Sequence, residues 1–521
     1  MVNLNWKGKN DLKELINSKN HENHSMQEIE LINSPINKNI YNFSEINRKM
    51  IKNEIRDVNF EEKWNNMLFL GDNKLLMDAL TDDFNEKITL IYFDPPFATG
   101  GDFNFKIFIG ERDNSDNSQR WLNKIAYSDT WRNGINSYLN FMYERLFLMR
   151  ELLAENGSIY IHLDWHVGHY IKIMMDEIFG VDNFRNELIW SYPAASVQTK
   201  RFFVRSFDTI LFYTKSNDYI FNDDPNNYME YSDRVKKALK VDEKGFYYHR
   251  GGSHNGKKLS QKVYTEKKGV FPRDVWNDIP YVRANTIEYQ GFSTQKPERL
   301  LKRIILASTN ENDIIADFFC GSGTTLVVAE KLGRRWIGCD STNYAIHMTR
   351  KRLLDIYNGK DLFNWNKKYK KIAKSFKILT IGKLNKEKLI PIEFVENGSL
   401  DKEFLKISEK ANFKVKLRTK EKGVSIELSD YIVPYLDLIS KDVKKHIKKW
   451  TDWIDYWSID FNNKGEIFNT MWVSYRTPKK RTLKLVSDPF YYKEGGIYQV
   501  LVKVIDIFRI ENIQSYKITI S

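Results

Sequence analysis

Two stretches of this chain alternate short apolar runs with amphipathic helical ones, and that rhythm constrains the fold more than any other feature. In the first, MLFLG (67–71) is a buried-strand run, KLLMDALTDDF has helical periodicity, and ITLIYFD (88–94) is a second strand. SYLNFMYERLFLMRELLAENG carries apolar residues at three- and four-residue spacing and reads as a helix stopped at Gly157. SIYIHLD and HYIKIMMDEIFG follow as strand and helix. In the second stretch Pro297 opens a helix over ERLLKRIILAS. DIIADFF is then a strand, GSGTTLVVAEKLG a glycine-opened helix, RWIGCD a strand and NYAIHMTRKRLLDIY a helix. Parallel strands need crossover connections, usually helices, so this succession predicts a mostly parallel α/β sheet with helices on both faces.

The rest of the chain divides around that rhythm. Residues 1–60 are polar and read as a helical extension of two or three short helices. Residues 61–189 and 291–357 are the two α/β halves. Between them, 190–290 reads as an insertion of short aromatic strands and polar loops. Its segment 240–269 holds eight Lys/Arg against three Asp/Glu. Residues 358–377 form a basic linker, and 378–521 read as a separate β-rich unit, a sandwich or small barrel.

Charge narrows the partners. Lys and Arg number 81 against 68 Asp and Glu, a net +13, which suits a polyanion such as nucleic acid. The only cysteines are Cys320 and Cys339, which excludes a disulfide scaffold and a cysteine-rich zinc module and points to a reducing cytoplasm. No apolar run is long enough for a transmembrane helix, and MVNLNWKGKNDLKEL lacks the apolar core of a secretory leader, so no membrane association is expected.

Two motifs carry chemistry. Asp94-Pro95-Pro96-Phe97 directly follows the strand ITLIYF. A carboxylate at the carboxyl end of a parallel strand lies where α/β sheets bind ligands. The prolines lack N–H groups, so this backbone offers only carbonyl acceptors. Acceptors in a row suit a substrate amino group, and Phe97 offers a face for a planar ring. The second motif, Asp317-Phe318-Phe319-Cys320-Gly321-Ser322-Gly323-Thr324-Thr325, joins a strand to a helix. Its glycines permit a tight turn and close approach of a ligand to an electropositive helix start. Asp340 ends the next strand, where a carboxylate binds ribose hydroxyls. The third glycine of a dinucleotide fingerprint is missing, so a single nucleoside-like ligand fits better.

With these residues the chain resembles the amino-group DNA methyltransferases, in the β class with permuted motif order. DPPF at 94–97 precedes the insertion, which precedes DFFCGSGTT at 317–325. Gln295-Lys296-Pro297 resembles the motif flanking the cofactor loop, GRRWIGCD (333–340) the second cofactor strand, and LFLGD, ending at Asp72, the segment beside the cofactor's adenine. The resemblance covers about residues 61–357. It is nearest to the modification subunits of type III restriction systems and their solitary relatives.

The resemblance implies a Rossmann-like sheet binding S-adenosyl-L-methionine, with 190–290 as target-recognition insertion and a C-terminal β-sandwich-like domain. It implies methyl transfer to adenine N6 in duplex DNA. Asp94, Pro95, Pro96 and Phe97 are then the catalytic residues. Asp72, Gln295, Lys296, Pro297, Asp317, Phe318, Gly321, Gly323, Thr324 and Asp340 would bind cofactor, with no metal required. A restriction-endonuclease subunit and a second copy of the chain are the implied partners, in a prokaryotic cytoplasm at the nucleoid. A cytosine-N4 enzyme of the same fold and a catalytically silent DNA-recognition subunit are the alternatives.

Basic residues interleaved with aromatics in WSYPAASVQTKRFFVR and KGFYYHRGGSHNGKK suit DNA reading. Lys200, Arg201, Arg205, Arg250, Lys257 and Lys258 are the candidate contacts. Gly251–Lys258 nearly matches a P-loop, but Lys258 replaces the Ser/Thr that holds Mg²⁺, so it reads as a basic loop. Asp164, beside His162, His166 and His169, is a candidate for the active-site floor. The tail reads as a partner-docking or DNA-clamping unit, with Trp450, Trp453 and Trp457 as its exposed aromatics.

Overall fold

The computed structural model describes residues 4–10, 26–33, 64–112, 120–131, 134–193, 201–254, 257–265, 269–381, 388–391, 404–407, 412–420, 422–465 and 467–521. In chain order, β1 (Met26–Ile32) and β2 (Asn66–Leu70) precede α1 (Asn73–Phe84), β3 (Ile88–Phe93) and a hairpin of β4 (Asp102–Phe108) and β5 (Trp121–Ser128). Next come α2 (Ile135–Leu152), β6 (Leu153–Leu163), α3 (Gly168–Phe179), β7 (Phe184–Ser191) and β8 (Phe207–Thr214). The insertion contributes α4 (Asp233–Ala238), β9 (Lys240–Asp242), β10 (Gly245–His254), β11 (Lys257–Thr265) and β12 (Val275–Trp276). The second half holds α5 (Glu298–Ser308), β13 (Ile314–Asp317), α6 (Thr324–Lys331), β14 (Arg335–Asp340), α7 (Asn343–Leu354) and β15 (Phe376–Ile381). The tail adds β16 (Lys388–Pro391), β17 (Phe404–Ile407), β18 (Asn412–Lys420), β19 (Gly423–Ile432), β20 (Ile454–Asp460) and β21 (Phe468–Thr470). It closes with β22 (Trp472–Tyr475), β23 (Phe490–Tyr491), β24 (Gly496–Asp506) and β25 (Glu511–Ile520).

One 11-stranded sheet organises the molecule, in the order β12-β7-β8-β6-β3-β13-β14-β2-β15-β1-β21. Its centre, from β6 to β15, is parallel. β3 is buried along its whole length because helices cover both faces. Its residues alternate between two cores: Ile91 and Phe93 pack with α1, α2 and α3, whereas Leu90 and Tyr92 pack with α5 and α6. α1 starts where the Asp72 carboxylate accepts hydrogen bonds from the amides of Lys74 and Leu75. From β13 the chain leads towards β14, and from β3 towards β6, on opposite sides. The crevice at the carboxyl ends of β13 and β3 is therefore the switch point where α/β sheets bind ligands.

Several elements differ from the sequence reading. β7 and β8 complete the main sheet as an antiparallel pair, so the stretch outside it starts after residue 214 and not at 190. An antiparallel hairpin needs no crossover helix, which is why the βα rhythm fades there although the sheet continues. The α2 helix ends at Leu152, and Gly157 lies within β6, where a Cβ would sit 2.8 Å from the Ala154 carbonyl. In the N-terminal 60 residues, MQEIELI is the strand β1, antiparallel to β15 and parallel to β21; LKELINSKN and INRKMIKNEIRDVNF lie outside the described residues.

The tail is not detached. β15 and β21 both belong to the main sheet. A three-stranded sheet (β18-β19-β23) and a four-stranded one (β22-β20-β24-β25) share a core that also takes Phe105, Ile107, Ile109 and Leu122 from the β4–β5 hairpin segment. Trp453 and Trp457 are buried in it and Trp450 is partly buried against it, so they are not the exposed aromatics expected. Aromatic content measures the size of a core as readily as that of a docking face.

Candidate active site

Asp94 leaves the end of β3 into the switch-point crevice. Its Oδ2 accepts a hydrogen bond from Lys296 Nζ at 2.6 Å, while its Oδ1 is buried with no partner. An acceptor held this way meets a donor from outside the chain or pays its full desolvation cost. The loop beyond the prolines is fixed by Asp129. That buried carboxylate accepts from the amides of Phe97 (3.1 Å), Ala98 (2.9 Å) and Thr99 (2.9 Å), from the Thr99 hydroxyl (2.9 Å) and from the Trp131 indole (3.2 Å). Ala98 is thereby held at φ +54°, a conformation an alanine rarely adopts.

Beneath this loop the Phe97 ring stacks on His162, with centroids 6.4 Å apart and planes 16° from parallel. His162 is fully buried; its Nδ1 lies 3.0 Å from the Tyr92 hydroxyl and its Nε2 3.0 Å from Asp208 Oδ2. Tyr192 donates to the other Asp208 oxygen at 2.9 Å. Burial alone would raise the Asp208 carboxyl, but the His162 hydrogen bond and charge, with Lys296 and Tyr192, hold it below its usual value. Asp164, the expected floor residue, accepts from the His166 amide and contacts His166 Nδ1 at 2.6 Å.

The glycine-rich motif at 317–325 forms another wall. A cavity of about 220 Å³ is lined by Asp94 and Pro96 on one side and by Asp317, Phe318, Gly321, Thr324 and Asp340 on the other. Asp317 Oδ1 accepts from the Phe319 amide (3.0 Å) and Oδ2 from the Thr325 hydroxyl (2.5 Å). Burial pushes its carboxyl up to about 7, against those hydrogen bonds and with help from Asp94 and Asp340. Asp340 Oδ2 accepts from the Gly321 amide at 3.1 Å, and Oδ1 from the Thr342 amide and hydroxyl, each at 2.9 Å. Burial raises the Asp340 carboxyl too.

Of the other expected cofactor residues, Asp72 and Lys296 line the cavity, but Gly323, Gln295 and Pro297 are not in its lining. Gly323 stands at φ +73°, where a Cβ would come within 2.5 Å of the Thr349 hydroxyl, so it shapes the turn. Buried Gln295 bonds the backbone of Gln290 and Glu288, and Pro297 precedes α5. Lys296 joins the two motifs: its Nζ holds Asp94 and its carbonyl accepts from the Thr324 hydroxyl at 3.1 Å. Sequence reasoning missed Asp129, Asn73, Arg145 and the aromatic wall of Phe105, Phe292 and Tyr344. Asn73 donates to the Phe318 carbonyl (2.9 Å), and Arg145 reaches Asn73 (2.7 Å) and Asp72 (3.1 Å), tying α1 and α2 to the glycine-rich loop. Only their position after short motifs could have drawn notice; no spacing rule marks them.

Among the DNA-contact candidates, Arg201, Arg205 and Arg250 are exposed, and the Arg205 guanidinium lies 3.9 Å from the Trp165 ring centroid. Lys257 and Lys258 are on β11, opposite His254 and Ser253 of β10, so the described part of the near P-loop is paired β-strand. Lys200 lies outside the described residues.

A switch-point cavity shared by a Pro-Pro-braced carboxylate and a glycine-rich loop defines a class of protein, and comparison with known sequences agrees. The model of a family described as DNA methylase matches residues 88–351, more than half of the chain, and the chain belongs to that family. It is 30% identical over 330 residues to the type II methyltransferase M.EcaI of Enterobacter cloacae, covering 55% of this chain and 69% of that one. It is 30% identical over 273 residues to the DNA adenine methyltransferase YhdJ of Escherichia coli (strain K12), covering 51% and 76%. With the StyLTI Mod subunit, a type III restriction-modification enzyme of Salmonella typhimurium (strain LT2), it shares 26% over 324 residues, 51% of this chain and 50% of that one. A solved complex of M1.HpyAVI with SAM aligns at 19% identity over 55% of this chain and 98% of that one, with a TM-score of 0.33. Among the described residues no helix is long and apolar enough to cross a membrane.

Proposed function

We propose that this protein transfers the methyl group of S-adenosyl-L-methionine to the N6 amino group of adenine at a specific site in duplex DNA. The observation that carries the proposal is Asp94 Oδ1, a buried acceptor without a partner at the edge of the loop-lined cavity. The residues present fit the cofactor. The Asp340 carboxylate and the Gly321 loop suit ribose and main-chain groups, and the aromatic wall suits a planar base. When bound, the cofactor supplies an activated methyl on a sulfonium, itself a good leaving group.

The chain's own residues do the rest. A target base cannot reach the crevice from inside a duplex, so it is flipped out. Asp94 Oδ1 and the Pro95 carbonyl accept hydrogen bonds from the two N–H groups of the amine, which draws the lone pair out of conjugation. Lys296 fixes the carboxylate and Phe97 stacks on the ring. Positioning in a pre-formed electrostatic environment then supplies the rate. Arg201, Arg205 and Arg250 hold DNA phosphates. The adenine reading also draws support from the similarity to an enzyme named as an adenine methyltransferase.

The similarity to type III Mod subunits supports a role as the modification component of a restriction-modification system, with a nuclease subunit as partner. Cytosine N4 is the second reading, because an amino nitrogen conjugated to a ring is presented to the same acceptors in the same way. Modified-base sequencing of DNA from a methylation-free host expressing the chain, beside an Asp94→Ala control, tests the proposal. One motif carrying N6-methyladenine, absent in the control, is the expected result. N4-methylcytosine would reassign the base, and an unmodified genome despite S-adenosylmethionine binding would defeat the DNA substrate for the chain alone.

A further inference from the structure

One wall of the cavity belongs to the β4–β5 hairpin and its neighbours. Phe105 of β4 stacks on Phe292 (6.4 Å, 14°) and tilts against Tyr344 of α7 at 4.5 Å, and all three line the cavity. A two-stranded hairpin is at best marginally stable in water by itself. Something must hold this one. One edge is tied to the chain before Lys296: Lys106 N donates to the Gly291 carbonyl at 2.9 Å and Ser293 N to the Asn104 carbonyl at 3.3 Å. Further support comes from Tyr344 of α7 and from the C-terminal sandwich, more than 300 residues further along.

That support has an apolar and a polar part. Phe105, Ile107, Ile109 and Leu122 are buried in the same cluster as Val424, Ile426, Trp457 and Val502 of the sandwich. Buried Arg481 donates to both carbonyls at the hairpin's end, Nη2 to Phe108 O at 2.7 Å and Nε to Gly110 O at 3.0 Å. Just before the other strand, Arg120 reaches the Asp452 carboxylate at 3.1 Å and the His446 carbonyl. Gly110 is at φ +55°, and a Cβ there would collide with the Asp452 carboxylate, so hairpin and sandwich are in closest approach at this joint. The sandwich also touches the third aromatic, since the Tyr344 hydroxyl donates to the Ile507 carbonyl at 3.4 Å.

We propose that the C-terminal sandwich is a positioning device for the cofactor pocket, in which Arg481 and Arg120 are positioning residues that hold the hairpin and, through Phe105, the aromatic wall. The tail then acts within the chain, apart from any docking or DNA-clamping role. The inference rests on the reading that this cavity takes S-adenosylmethionine. If the hairpin is held closed only a fraction of the time, apparent affinity falls by that fraction. A closed population reduced to about a tenth weakens binding about tenfold, equivalent to about 1.4 kcal/mol.

The full chain and its Arg481→Met and Arg120→Gln variants test this, with S-adenosylmethionine affinity by equilibrium dialysis, DNA affinity, steady-state kinetics and amide hydrogen exchange. The unaltered chain is measured first; if it does not bind S-adenosylmethionine, the functional reading fails, and that is a different failure from this one. The expected result is faster exchange over 102–108 with 314–317 still protected. The Kd and KM for S-adenosylmethionine rise about tenfold, while DNA affinity and kcat at saturating cofactor stay within about twofold. A loosened hairpin with unchanged cofactor affinity overturns the proposal. So does an unloosened hairpin in both variants, or a parallel loss of cofactor affinity, DNA affinity and central-strand protection. Should Arg481→Met not fold, Arg120→Gln, at the joint's partly exposed edge, carries the same expectations.

Discussion

Asp129 shows what a single side chain does for this site. One carboxylate satisfies four donors on the exit from the Asp94–Phe97 motif and a fifth on the Trp131 indole, and it holds Ala98 at positive φ. Asn offers a single acceptor oxygen and adds two donors that have no acceptor there. Asp129→Asn is therefore expected to lower kcat about 100-fold through misplacement of Phe97 and the adjoining acceptors, with cofactor affinity little changed. Single-turnover methylation beside a cofactor titration measures both. None of this was legible beforehand, because a carboxylate 35 residues after Asp94 has no periodic relation to it. The two motifs themselves were legible, because each is contiguous and sits at a strand end where the fold rule places ligands. Gln295 and Pro297 show the limit of motif transfer. They adjoin Lys296, yet one braces a backbone turn and the other starts a helix.

At the scale of elements, the turn between β13 and α6 depends on Gly323. An alanine there meets both positive φ and the Thr349 hydroxyl. Gly323→Ala is expected to cost about 1–3 kcal/mol of stability and to weaken cofactor binding, read by thermal unfolding and by dialysis. The β10–β11 hairpin, in a sheet separate from the main one, carries the exposed Arg250. Arg250→Ala is expected to reduce the slope of log K against log salt for DNA by about 0.9 without altering the methylated motif. Affinity at three or more salt concentrations checks it; an altered motif would make Arg250 a base reader. The insertion's boundary was misjudged because β7 and β8 change strand direction without a helix between them. A strand's sequence reports its burial, but not which sheet it joins.

At the scale of the whole molecule, the N-terminal strand, α7 and the sandwich meet at one buried charge. Glu30 of β1 pairs with Lys503 of β24 at 3.0 Å and Arg350 of α7 at 3.2 Å, and it accepts from the Thr470 hydroxyl of β21. Burial would raise its carboxyl, but Arg350, Lys503 and Thr470 hold it down to about 2. A depressed carboxyl stabilises the fold above its unfolded value, near 4.5, and that contribution is lost as pH falls from there to about 2. Acid titration of stability should show this loss, and Glu30→Gln should remove it. Lys503→Met leaves the carboxylate with less charge compensation and is expected to cost about 3–5 kcal/mol, measured by urea unfolding.

The sequence alone determined the α/β class, the two motifs at strand ends and the family, because these reside in local periodicity and in short contiguous motifs. Tertiary structure decided what the motifs do together: that Lys296 holds Asp94, that Asp94 keeps one acceptor open, and that a hairpin braced by the tail closes the cavity. Those contacts join residues separated by about 200 to 370 positions. The physical reason is that side-chain pairing across such distances is set by which strands become neighbours, a property of the assembled sheet that no local stretch of chain encodes.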